Sequence, residues 1–299
     1  MKNTPFNAVN AALAVVLALS LGTTLSAQNL KAVPQAEIAK VKAVIPEKMP
    51  AKTTKRKILV FWRCEGYTHG ASIAYGIEAF KQLQAKHADY TFDFSKEYKD
   101  LSAANLKKYD ALVLQNTTKL NTKKNPALEN DLIDFVKAGK GLTVIHAGAD
   151  NFYQAEAAAK MVGGRFWGHP WGSGGTWAFK LDDPDNPINA SFGGKNFKWR
   201  DEIYQQQSPY YNRAKLHVLV SLDFSDKTTA STKGQKREDN DYAVSWIRPY
   251  GKGRVFYTSF AHDQRAYLNK AIFTHIVAGL QYTLGDLKAD DSPAGLADK

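Results

Sequence analysis

Short runs of consecutive apolar residues alternate along this chain with longer segments whose apolar residues recur at helical spacing. That alternation restricts the fold more than any other feature. Ile58-Leu59-Val60-Phe61-Trp62 is too short for a helix and apolar on both faces, as a strand inside a parallel sheet must be. Residues 70–86 follow with Ile73, Ile77, Phe80 and Leu83 on one helical face. Tyr90 to Phe94 reads as a second strand, and Asp110 to Gln115 carries Ala-Leu-Val-Leu as a third. Residues 126–138 align Leu128, Leu132, Phe135 and Val136 before Gly139, and Leu142-Thr143-Val144-Ile145 is a fourth strand. The β-α-β-α order predicts an α/β domain whose parallel sheet is covered by helices on both faces. After residue 150 the texture changes. Trp, Gly and Pro crowd residues 163–175, and strand-like runs follow at 177–181, 198–204, 218–222, 242–247 and 254–259. These runs predict added antiparallel strands and long loops in the second half, with Gly251-Lys252-Gly253 as a hairpin turn. A last helix fits 267–282, with Ile272, Ile276 and Leu280 on one side.

The ends of the chain read differently. Residues 1–27 have the layout of a secretory leader: Lys2, an apolar stretch from Ala11 to Leu21, and small residues at Ser26-Ala27. Export to a periplasm or secretion is therefore expected. Residues 28–57 look like a linker or lead-in, residues 58–283 like the folded domain, and residues 284–299 like a flexible tail. The formal net charge of +11 is concentrated near the start: residues 28–57 hold eight basic and two acidic side chains, leaving +4 for residues 58–299. The expected domain has no basic stripe, which argues against a nucleic-acid partner. Beyond residue 30 no apolar run is long enough to span a membrane. The single cysteine, Cys64, excludes an internal disulfide framework and a Cys-rich zinc module. Nothing in the sequence speaks against assembly into a homo-oligomer.

Ligands of open parallel sheets bind at the carboxyl ends of the strands. The first strand leads to Tyr67-Thr68-His69, the third to Asn116, the fourth to His146 with Asp150 behind it, and the run 254–259 to His262. A lone histidine at a strand end is an ordinary structural residue, but three at corresponding ends point to a shared pocket. His169 lies in the Gly/Trp-rich loop, whereas His87, His217 and His275 look ordinary. Val144-Ile145-His146-Ala147-Gly148 has the strand, tight-turn, helix layout of a nucleophile elbow with histidine at its centre. Imidazole there suits proton transfer or metal ligation, and with Cys64 on another strand a thiol glutaminase is not expected. In an extended run, Glu202 and Tyr204 share one face and Asp201 takes the other.

At these residues the chain resembles the ThuA-like family. The matching pieces are Tyr67-Thr68-His69, Val144-Ile145-His146-Ala147 with Asp150, and Val162-Gly163-Gly164-Arg165-Phe166 with His169-Pro170. They continue with Asp201-Glu202-Ile203-Tyr204 and the stretch from Trp246 to Thr258 that closes on His262. Ser259-Phe260-Ala261 departs from the Leu-Gly pair usual before that histidine. The resemblance implies a flavodoxin-like, class I glutamine amidotransferase-like fold and a part in the use of trehalose and related disaccharides, including 3-keto sugars. On that footing the expected ligand is a small carbohydrate. His69, His146, His169 and His262, with Asp201 or Glu202, are the candidate catalytic groups, and the four histidines are also candidate ligands for a divalent metal such as zinc. Asn116, Asp150, Tyr204 and the rings of Trp167, Trp171 and Trp177 are candidate sugar contacts. The enzyme expected is of sugar or keto-sugar lyase, hydrolase or isomerase type. A non-catalytic sugar-binding or scaffold protein with the same fold is the alternative.

Overall fold

The computed structural model describes Met1 and residues 30–293, so the leader expected over 1–27 and the end of the tail lie outside the described residues apart from Met1. Nine strands form one sheet: β1 (Arg56–Phe61), β2 (Tyr90–Ser95), β3 (Ala111–Gln115), β4 (Gly141–Ile145), β5 (Thr176–Leu181), β6 (Phe197–Arg200), β7 (His217–Leu222), β8 (Ala243–Tyr250) and β9 (Gly253–Thr258). The helices are α1 (Gln35–Val44), α2 (Gly70–Lys86), α3 (Ala103–Leu106), α4 (Leu128–Lys137), α5 (Glu156–Val162), α6 (Lys227–Ala230) and α7 (Lys270–Thr283). The sheet order is β2-β1-β3-β4-β9-β8-β7-β5-β6. The first five strands in this order run parallel and the remaining pairs are antiparallel. The opening β2-β1-β3-β4 order is flavodoxin-like and places the topological switch between β1 and β3.

The apolar strands are buried on both sides because each residue parity serves a different core. Ile58, Val60, Ala111 and Val113 face α2 and α7, with Phe80, Leu83, Phe273 and Ile276 in the same cluster. Leu59, Phe61, Leu112 and Leu114 face the other way and pack with Leu132, Val136, Ala158 and Val162 of α4 and α5. β8 and β9 form the expected hairpin, with Gly251 at φ +60 in the turn. The expected strand at 198–204 ends at Arg200, because Asp201 turns its carboxylate onto backbone N–H groups of a neighbouring loop. Beyond it only isolated bridges continue, Ile203 to Trp171 and Gln206 to Phe166.

The described residues at both ends pack against the domain. The lead-in contributes to the core: Val41, Val44 and Ile45 are buried in the α2/α7 cluster. Gln281 fixes its far end by exchanging two hydrogen bonds of 2.8 Å with the backbone of Ala51. The tail is held down as far as Ser292. Asp286 pairs with Arg56, the Tyr282 hydroxyl donates to Asp291 at 2.7 Å, and the Ser292 carbonyl accepts from His217 at 2.8 Å. Composition gave no sign of these partners, which lie up to 230 positions away in sequence.

Candidate functional site

His69, Asn116, His146 and His262 follow β1, β3, β4 and β9, four parallel strands, so all four emerge at one edge of the sheet. His146 sits in the expected elbow. Its φ is +45, a left-handed conformation that a non-glycine residue holds only when its surroundings enforce it. Gly148 allows the tight turn, since a Cβ there would lie 2.4 Å from Val144 Cγ1. Ala261, just before His262, also takes a left-handed φ of +79. Glycine suits that conformation, in agreement with the residue usual at this position in the ThuA-like family.

Three of the histidines converge. The rings of His69 and His146 lie 5.0 Å apart, His69 and His262 5.1 Å, and His146 and His262 5.3 Å. Glu202 reaches into the same space, with its carboxylate 3.9 Å from His146 Nε2, 3.7 Å from His262 Nε2 and 3.4 Å from His169 Nδ1. One ligand-capable atom from each of His69, His146, Glu202 and His262 falls within 4.8 Å of the others. His169 stays outside this foursome; its side chain is 52% exposed and stands at the mouth.

Hydrogen bonding orients the cluster. His146 Nδ1 lies 2.6 Å from the carbonyl of Ser259. A carbonyl only accepts, so Nδ1 carries the proton and Nε2 presents its lone pair. His146 Nε2, His69 Nδ1 and His262 Nδ1 are buried and have no hydrogen-bond partner. Buried polar atoms of native proteins are normally paired, so three orphans in one cluster signal a missing partner. Burial, with the nearby His262 and His169, pushes the His69 imidazole down to about 3. Burial, with His69 and His262, pushes His146 well below its ordinary value. For His262 burial works against the charged form, but Asp263, Glu202 and Asp201 outweigh it and hold the ring above its usual value. Burial raises the Glu202 carboxyl against the opposing effect of His262 and His169. Neutral imidazoles with free lone pairs beside a poorly compensated carboxylate fit a divalent cation. Three nitrogens and one oxygen suit zinc or a similar first-row metal.

The other expected residues divide. Tyr204 lines the centre, its ring 4.3 Å from that of His146 and 4.4 Å from that of Phe166. Glu202 and Tyr204 thus share the site side, as the alternation implies. Asp201 does not face the cluster, contrary to its expected catalytic role. Fully enclosed, it accepts from the backbone N–H of Ala261 at 3.0 Å, His262 at 3.1 Å and Glu202 at 2.9 Å, tying the loops that carry Glu202 and His262 together. Asn116 is likewise used up as a brace, donating to Ser72 Oγ and the Ala261 carbonyl and accepting from Ala147 N. Asp150 borders the site and accepts from the hydroxyl of Tyr153. Trp171 is fully buried, with its indole N–H on the Thr229 carbonyl, so it cannot stack on a sugar. Trp177 spends its N–H on Gly172 and Asp201 carbonyls. Trp167 is half-buried beneath Lys236, whose ammonium lies 5.1 Å from its ring centre. Cys64 is buried, and burial pushes its thiol up, away from a reactive thiolate. Sequence reasoning missed Ser259, which orients His146 through its carbonyl and accepts from Tyr204 N through Oγ at 3.0 Å. Its only signal was the departure from the family pattern at residues 259–261.

A family model described as trehalose utilisation matches residues 57–283. The chain belongs to the ThuA family. ThuA-like proteins of known structure share the fold. One from Bacteroides uniformis is 20% identical, with a TM-score of 0.62 over 78% of this chain and 93% of its own. Another from Parabacteroides merdae is 18% identical, with a TM-score of 0.54 over 79% of this chain and 93% of its own. No curated protein is similar enough to the chain to count as a relative. Among the described residues no helix is long and apolar enough to cross a membrane.

Proposed function

We propose that this ThuA protein is a metal-dependent enzyme that moves a proton next to the carbonyl of a sugar, acting on disaccharides or their 3-keto derivatives. One observation carries the reading: orphaned, buried imidazole nitrogens of His69, His146 and His262 lie in one cluster with Glu202. Those four side chains would hold the ion. A divalent metal bound there supplies Lewis acidity toward a carbonyl oxygen. His169, exposed at the mouth and 3.4 Å from Glu202, is the group free to take a proton from the neighbouring carbon and return it. Tyr204 and Phe166 wall the centre and limit water. The family's description as trehalose utilisation supports the sugar class, and the leader-like residues 1–27 support action outside the cytoplasm.

The test is a turnover screen of the zinc-loaded protein against disaccharides and their 3-keto forms, repeated after chelation. The proposal expects turnover of at least one substrate that chelation abolishes and zinc restores. Turnover indifferent to chelation, or none with any substrate, counts against it.

A further inference from the structure

Among the described residues seven tyrosines are at most 4% exposed, and six of them spend the hydroxyl on a partner. Tyr90 and Tyr267 accept from Gln281 and Gln115, while Tyr211, Tyr242, Tyr257 and Tyr282 donate to Asp241, the Arg237 carbonyl, the His146 carbonyl and Asp291. The hydroxyl of Tyr204, the seventh, has no hydrogen-bond partner among the described residues, and what little of this side chain is exposed includes that oxygen. A buried tyrosine hydroxyl normally finds a partner. The backbone around it is fixed: Tyr204 N donates to Ser259 Oγ at 3.0 Å, Ile203 N to the Trp171 carbonyl at 2.8 Å and Gln205 N to the Gly168 carbonyl at 2.9 Å. The unspent hydroxyl is therefore not the product of a loose loop. The Tyr204 ring lies 4.3 Å from that of His146, and of the charged groups near the phenol Glu202 bears on it most strongly. Ser259 holds His146 through its carbonyl and Tyr204 through its hydroxyl, so the two are positioned together.

We propose that Tyr204 is a catalytic hydrogen-bond donor, whose hydroxyl stabilises the oxyanion that develops on the sugar's carbonyl oxygen during proton transfer. This rests on the function proposed above and adds to it the protein group that meets the developing charge. When His169 takes the proton from the carbon beside the carbonyl, the electron pair of that C–H bond moves toward the carbonyl oxygen. The oxygen gains negative charge and accepts the hydrogen bond of the Tyr204 hydroxyl, which keeps its proton. Return of the proton from His169 to carbon restores the carbonyl, so nothing is oxidised or reduced. A phenol is neutral and a donor at physiological pH. Fixed in advance in a largely closed site, it needs no reorganisation as the charge appears. Phe166, 4.4 Å from the Tyr204 ring, walls the centre without a hydroxyl, so the exclusion of water alone does not call for one.

The experiment is calorimetric titration of acetohydroxamate, whose anionic oxygen stands in for the oxyanion, into the zinc-loaded protein and its Tyr204→Phe variant. Zinc stoichiometry and thermal melts are measured on the same preparations. Tyr204→Phe keeps the ring and strands no protein group, so the melting temperature should stay within about 2 °C and zinc stoichiometry should be unchanged. Hydroxamate affinity is expected to fall tenfold or more. With a substrate found in the turnover screen, kcat should fall about 100-fold while KM changes less than threefold. Equal hydroxamate affinity in the two proteins, or none in either, would overturn the role of Tyr204 and leave the metal centre standing. So would a loss of affinity accompanied by a fall of several degrees in the melting temperature, which would mark the hydroxyl as structural. Absence of zinc binding in the unaltered protein would strike the proposed function and this role with it.

Discussion

His275 and His146 are both fully buried, yet their surroundings differ in one respect. His275 has a partner at each nitrogen, Ile188 O at 3.1 Å and Ser245 Oγ at 2.8 Å. His146 has a partner at Nδ1 only, and His69 leaves its Nδ1 unmatched in the same cluster. The first arrangement completes a core between α7 and the sheet. The second leaves free lone pairs at the sheet edge, which the fold alone does not require. Burial therefore does not separate His275 from the proposed metal ligands; hydrogen-bond satisfaction does.

The largest contrast should appear in metal affinity. His69→Ala or His262→Ala is expected to weaken zinc binding about 1,000-fold or more, about 4 kcal/mol, while the metal-free melting temperature falls by at most about 2 °C. Titration and thermal melts of the same preparations check both halves. A large melting shift with unaltered zinc affinity would erase the distinction.

His275→Ala should do the reverse. Truncation leaves Ser245 Oγ and the Ile188 carbonyl unpaired beside a cavity, at a cost of about 3 kcal/mol. In a domain of this size that lowers the melting temperature by roughly 6–10 °C, with zinc stoichiometry unchanged. The same residue sets a pH dependence. Burial, only partly offset by the bond to Ile188 O, lowers the His275 pKa to about 4. The unfolded chain then binds the extra proton between pH 6.5 and 4, so this contribution is intact above 6.5 and is lost as pH falls toward 4. Its full size is about 3 kcal/mol, and denaturation at several pH values should show a shallower acid limb in His275→Ala than in the unaltered protein.

A smaller effect sharpens the comparison from within the site. Burial raises the Asp201 carboxyl to about 6, yet its two oxygens accept N–H groups from the His262 and Glu202 loops. Asp201→Asn replaces one acceptor with a donor facing an N–H. Zinc affinity should fall about 10–100-fold, as for other residues that orient ligands from behind. Unchanged affinity would show that the loops hold His262 and Glu202 without it.

These contrasts also explain what could be read from the residues alone. β1, β3 and β4 announce themselves because each is a compact apolar run that the sheet buries, and the edge strand β2 by its alternation. Their parallel order then brings His69, His146 and His262 to one edge without any knowledge of side-chain contacts. Partners fixed by tertiary geometry leave no such trace. Trp171 looks like a sugar platform in its Gly/Trp-rich loop, but its environment is set by Thr229 and Tyr242, far along the chain. Tyr67 entered only as part of the motif before His69, and Tyr153 not at all, because exposure of an aromatic is not written in its neighbours. Alternation puts Asp201 and Glu202 on opposite faces, but only the fold shows that Asp201 braces loops while Glu202 faces the histidines. The helix α1 was hidden in a basic, proline-marked lead-in whose few apolar residues gain meaning only against α2.

The central claim is that the orphaned nitrogens of His69 and His146 await an ion shared with His262 and Glu202. Titration of zinc into the metal-stripped protein, followed by calorimetry and checked by elemental analysis, tests it most directly. The account predicts one saturable high-affinity site per chain, retained in His275→Ala and lost in His69→Ala and His262→Ala. Absence of a saturable site, or a site that survives both ligand substitutions, would contradict it.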